Sequence, residues 1–100
     1  MAELCLTILC PAPFTAQVLD TLLTMSEISF FTSSAAAAHG LPHVALSATE
    51  QVLGMARMTR IEALLSQADQ EQILSSLRKQ LSGTGLKYWI APVIEEGEFS

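Results

Sequence analysis

The stretch that decides the fold is Leu4-Cys5-Leu6-Thr7-Ile8-Leu9-Cys10. Neither of its alternating sets carries a charge: Leu4, Leu6 and Ile8 form one, Cys5, Thr7 and Leu9 the other. Side chains alternate between the faces of a strand, so a strand of this kind is covered on both faces. Pro11 and Pro13 end it, and Pro13 suits the first turn of a helix, where a missing N–H is no loss. Phe14, Val18, Leu22 and Met25 then recur at helical spacing, widened by Leu19 and Leu23, which predicts a first helix ending near Ser26.

Beyond that helix, Ile28 to Ser34 is rich in aromatic and β-favouring residues and reads as a second strand. Residues 35–54 follow with no sustained strand period. They contain Gly40, Pro42, His39, His43 and Glu50. A connection that long in so small a domain is functional or mobile. Within it, Ser47 and Glu50 form a Ser-x-x-Glu capping pattern that predicts a short helical turn. Met55 to Leu65 returns to extended structure, with Arg57 and Arg60 on opposite faces. Asp69 and Gln72 read as the cap of a second helix whose apolar face is Ile73, Leu74, Leu77 and Leu81. Arg78 and Lys79 suit the helix's C-terminal dipole, and Gly83 is its stop. Leu86 to Ile94 is the last strand; Pro92 cannot donate to a ladder, so this strand belongs at a sheet edge or carries a bulge.

The order strand, helix, strand, strand, helix, strand describes one α+β domain over residues 1–100. Its arrangement is ferredoxin-like βαββαβ: one antiparallel sheet, both helices on one face, and a long loop between strands 2 and 3. The other sheet face then has no helix. The apolar first strand therefore predicts sheet-to-sheet packing between copies of the chain.

Composition narrows the function. Half of the 100 residues are hydrophobic and only 15 % are charged, with a mean hydropathy of +0.40. No uninterrupted apolar run reaches the roughly 18 residues of a spanning helix, and Glu3 stands where a signal peptide needs basic residues. The expectation is a cytoplasmic protein without membrane insertion. The net charge is −5, and the basic residues Arg57, Arg60, Arg78, Lys79 and Lys87 form no run, which argues against nucleic acid. Cys5 and Cys10 share a strand but point to opposite faces, so one chain cannot bridge them; they read as small buried thiols in a reducing compartment.

No Walker loop, Gly-x-Gly-x-x-Gly, Gly-x-Ser-x-Gly or Cys-x-x-Cys pattern is present. The two histidines have no nucleophile spaced with them, and the chain is not expected to be an enzyme. His39, His43 and Glu50 form the one constellation with metal chemistry: imidazole and carboxylate suit Zn²⁺, Ni²⁺ or Cu²⁺. The same residues also read as two polar loop histidines and a helix-capping glutamate, or as a protonation switch. Arg57 and Arg60 are either ion-pair partners of Glu62 or Glu50, or contacts for an anionic effector between subunits. Tyr88 and Trp89 read as core or interface residues.

The stretches Phe31-Thr32-Ser33-Ser34, His39-Gly40 with His43, Glu50-Gln51-Val52-Leu53-Gly54 and Tyr88-Trp89-Ile90-Ala91-Pro92-Val93 resemble the PII-like superfamily of trimeric ferredoxin-like proteins. They resemble most a small bacterial PII-like family often encoded beside heavy-metal efflux systems. The resemblance implies a homotrimer. It implies that residues 35–54 correspond to the long PII loop that senses ligands and touches partner proteins, which makes Gly40, Glu50, Arg57 and Arg60 candidate ligand contacts and a membrane transporter a candidate partner. It also implies a nucleotide site between subunits, served by glycines and basic residues after the second helix. Here that segment is Ser82-Gly83-Thr84-Gly85-Leu86-Lys87 with no arginine following, so Lys87 is the one basic candidate and PII-type ATP binding is not expected. The function expected on this basis is that of a trimeric sensor of a small effector or a divalent transition metal. The alternative is a divalent heavy-metal-binding or metal-tolerance protein.

Overall fold

The computed structural model describes residues 2–42 and 46–100. Strand β1 (Leu4–Pro11) leads through a 3-10 turn at Ala12–Phe14 into helix α1 (Thr15–Leu23). Strand β2 (Phe31–Ala38), the short helix α2 (Ala48–Leu53) and strand β3 (Ala56–Leu65) follow, then helix α3 (Gln70–Leu81) and strand β4 (Lys87–Pro92). The four strands form one sheet in the order β2-β3-β1-β4, every neighbouring pair antiparallel. This is the ferredoxin-like arrangement that the element order predicts. β4 is an edge strand, where the missing N–H of Pro92 costs no ladder bond.

Register assigns the faces. Leu6, Ile8 and Cys10 of β1 stand opposite Ala63, Ile61 and Thr59 of β3. Together with Val18 and Leu22 of α1 and Ile73, Leu77 and Leu81 of α3, the apolar members of this set form the buried core. Burying each of the large aliphatic side chains contributes about 1.5–3 kcal/mol, so this two-layer contact of sheet and helices holds the domain together. Cys5, Thr7 and Leu9 lie on the other face.

Several elements differ in extent from the sequence reading. α1 ends at Leu23 rather than near Ser26, because the Thr24 hydroxyl donates to the Thr21 carbonyl at 2.7 Å and closes the last turn. The second strand begins at Phe31 and runs four residues past Ser34. Ala35 to Ala38 pair with Thr59 to Ala56, so the connection starts at His39 rather than at residue 35. Alanine has no strand signature of its own; the neighbouring β3 backbone supplies the partner. Asp69 makes no side-chain cap to α3. Ser66 instead accepts from the Ala68 N–H at 3.3 Å to start a 3-10 turn at Gln67–Asp69, and Gln72 donates to Glu27 at 2.9 Å.

β1 pairs with β3 only as far as Pro11↔Met58, while β2 and β3 continue to Ala38↔Ala56. The hairpin therefore leaves the sheet as a two-stranded arm. The molecule measures 45 × 30 × 19 Å, with a radius of gyration of 14.8 Å, against about 13 Å for a compact chain of this length.

Candidate functional site

The arm carries the segment that the sequence singles out. After Ala38 come His39, which is exposed, and Gly40 at φ 82°, a left-handed conformation that glycine adopts without strain. His43, the second expected metal ligand, lies outside the described residues. Ser47 opens α2 with a complete capping box: its hydroxyl accepts the Glu50 N–H at 3.2 Å and the Glu50 carboxylate accepts the Ser47 N–H at 3.0 Å. Gly54, left-handed at φ 71°, closes the helix, its N–H donating to the Glu50 carbonyl at 2.8 Å.

Glu50 does one thing more. Its second carboxylate oxygen accepts the backbone N–H of Arg57 at 2.6 Å. One side chain thus ties the start of α2 to the root of β3. The Arg57 and Ser47 N–H groups hold this carboxyl below the usual carboxylate range, because a charged acceptor is favoured by donors aimed at it. The Arg57 side chain is exposed. On α2, Val52 and Leu53 are also exposed, Val52 at 87 %. The arm therefore carries exposed His39, exposed Arg57 and a capped helix with exposed Val52 and Leu53.

Arg60 and Lys87 belong to a second group, on the sheet face without helices. Register places Ser34, Arg60, Leu9 and Lys87 in one row across the sheet, and Thr32, Glu62, Thr7 and Trp89 in the next. Arg60 pairs with Glu62 at 3.4 Å, and its guanidinium lies 5.8 Å from the Trp89 ring centroid, within cation–π range. Arg57 projects from the opposite face of the same strand. The structure thus splits the five expected ligand contacts into an arm group of Gly40, Glu50 and Arg57 and a sheet-face group of Arg60 and Lys87. Among the described residues no three His, Cys, Asp or Glu side chains converge as a metal cluster. Cys5 and Cys10 are free thiols. Among the described residues no helix is long and apolar enough to cross a membrane.

The residue reading missed a cleft of about 290 Å³ between the end of α3, the loop 82–86 and β4. Leu6, Ile8, Leu77, Leu81 and Leu86 line it, and Arg78 donates to the Tyr88 hydroxyl at 3.1 Å beside them. A signal was present in the sequence: Arg78 directly follows Leu77 on the apolar stripe of α3, at the border where a long side chain overhangs its neighbours.

An antiparallel βαββαβ sheet with a long β2–β3 arm defines a protein of the PII-like ferredoxin fold. The chain belongs to the family described as protein of unknown function DUF3240, whose model matches residues 1–100. It is similar to the crystal structure of a DUF3240 protein from Shewanella baltica OS155, with a TM-score of 0.81, 19 % identity, and coverage of 100 % of this chain and 99 % of that one. A nitrogen regulatory PII-like protein from Thiomonas intermedia K12, solved with ADP, AMP and bicarbonate, matches with a TM-score of 0.71, 12 % identity and 98 % of both chains. A protein described as PII-like and signalling, from Thermus thermophilus, matches with a TM-score of 0.65 and 14 % identity over 93 % of this chain and 88 % of that one. These likenesses establish the PII-like fold. No curated protein matches the chain.

Proposed function

We propose that this chain is a non-enzymatic PII-like regulator that acts in the cytoplasm as a homotrimer. Its arm, residues 35–54, senses a small effector or a divalent transition metal and docks on a partner protein such as a membrane transporter. The observation that carries this reading is the Glu50 carboxylate bound to both Ser47 and Arg57. A ligand that takes hold of Glu50 or Arg57 acts on a side chain that couples α2 to the sheet, and so repositions exposed Val52 and Leu53, the surface offered to a partner; Gly40 is a further contact in the same arm. Metal binding in this reading runs through His39 and His43. Arg60 and Lys87, in one row of the open sheet face, serve an anionic effector between subunits.

The trimer rests on that open face, where Leu9, Leu64 and Trp89 share a surface that no helix covers. A single core in a domain of this size is marginal, and association adds burial. The test is calorimetric titration of the full chain with Zn²⁺, Ni²⁺, Cu²⁺ and adenine nucleotides, followed by amide exchange over 46–57. An effector that binds and changes exchange there supports the regulator. The second reading, a metal-tolerance protein that sequesters its ion, is favoured by exposed His39 and gains if one metal binds tightly with no change in α2.

A further inference from the structure

The segment after β4 includes Ile94-Glu95-Glu96-Gly97-Glu98-Phe99-Ser100. Ile94 and Phe99 are fully exposed, at 103 % and 110 % of their reference areas, and three glutamates lie between them. The cleft at the end of α3 has the complementary character. Its lining is largely aliphatic, and the one charged side chain in it is Arg78. A cavity of about 150 Å³ holds a benzene ring; this one, at about 290 Å³, has room for a phenyl side chain.

The tail lies away from the cleft of its own chain. The Val93 N–H donates to the Glu3 carbonyl at 2.9 Å, and the Ala2 N–H donates to the Glu96 carboxylate at 3.1 Å. These bonds hold the tail beside the beginning of β1. The cleft lies towards the other end, where Ile8 stands opposite Tyr88. From Ala2 to Leu6, the nearest lining residue on β1, the chain spans about 13 Å at roughly 3.3 Å per residue, against about 10 Å of backbone for the three residues beyond Glu96.

We infer that Phe99 of one copy seats in the α3–β4 cleft of a second copy, with the tail glutamates against Arg78. Such a contact joins different surfaces of the two partners, so it is heterologous. The inference stands on the tail and the cleft alone and requires neither an effector nor the arm.

The test uses the full chain with the photoreactive p-benzoyl-phenylalanine incorporated in place of Phe99. Copies labelled with ¹⁴N and with ¹⁵N are mixed and irradiated, and the adducts are mapped by mass spectrometry. The expected result is adducts between light and heavy copies on Leu77, Leu81, Leu86 or Tyr88. Adducts confined to one copy, adducts elsewhere, or none overturn the inference. The charge half is tested in the same assay. R78E and E98R each lower the adduct yield, by up to about fivefold as expected for one exposed ion pair, and the two changes combined restore it. Position 98 is exposed, so E98R leaves the fold intact and keeps the test readable if R78E does not fold. A double variant yielding no more than either single one also overturns the inference. Metal titration and solution mass are read separately, so the regulator reading is judged on other data.

Discussion

The Glu50 carboxylate accepts the Arg57 backbone N–H at 2.6 Å while also capping α2 through Ser47. This side chain joins the inserted helix to the strand following it. Because donors hold its carboxyl below the usual range, the anionic form is the bound form. The stabilisation is therefore fully present above the ordinary glutamate pKa of about 4.3 and is lost as pH falls through the lower folded value. The protection of α2 amides, taken relative to their intrinsic exchange rates at each pH, should fall as the pH drops below that ordinary value while β1 stays protected, and E50Q should lower the same protection at neutral pH. Exchange in α2 unchanged by E50Q would refute the coupling.

S47A removes the other half of the box. Loss of an N-cap costs about 1 kcal/mol, and here it falls on a six-residue helix without buried side chains. The expected outcome is faster exchange at 48–53 with little change in the thermal midpoint. I61A, in the core opposite Ile8, should cost about 2–5 kcal/mol and lower the midpoint by roughly 8 °C or more. Differential scanning calorimetry separates the two.

Cys5 and Cys10 should differ in reactivity. Cys10 is buried on the helix side of the sheet; desolvation raises its thiol pKa, partly offset by a hydrogen bond with Thr15. Less thiolate and less access both slow alkylation. In L9E, which keeps another copy off the open face, Cys5, half-buried on that face, should be modified first by iodoacetamide at about pH 8, and Cys10 only on unfolding. Peptide mapping that finds both modified at equal rates would contradict the assignment of faces.

Light scattering of the full chain at micromolar concentration should give the mass of a trimer. L9E, placing a charge in the middle of the open sheet face, should lower that mass without loss of helical circular dichroism, and L9E combined with F99A, which also removes the tail contact, should give the mass of a monomer. A wild-type monomer would remove the trimer from the proposed function.

Metal affinity carried by the arm should disappear in H39A/H43A and survive in C5S/C10S. Imidazole coordinates only when neutral, so affinity should fall as pH drops towards about 5.5. Zinc and copper titrations of the two double variants decide between the donor pairs. Retention of affinity without the histidines would leave the arm with a different ligand.

Neighbouring residues alone encode the order of elements, the Ser47–Glu50 box, Arg57 and Arg60 on opposite faces, Cys5 and Cys10 pointing apart, and Pro92 on an edge. Periodicity and capping act within one or two turns, so they survive without knowledge of the rest of the chain. Tertiary contacts were needed to show that Ala35 to Ala38 extend β2, that Glu50 reaches the Arg57 N–H, that Arg60 lies over Trp89, and that Arg78 and Tyr88 border a cleft. The alanines carry no strand signal and take their conformation from β3, and Asp69 lost the expected cap because Ser66 starts the turn before it. The candidate site was legible as a list of residues; its division between arm and sheet face came from the pairing of strands. Arg60 meets Trp89 because strands β3, β1 and β4 are aligned in register, a relation between distant segments that no local pattern contains.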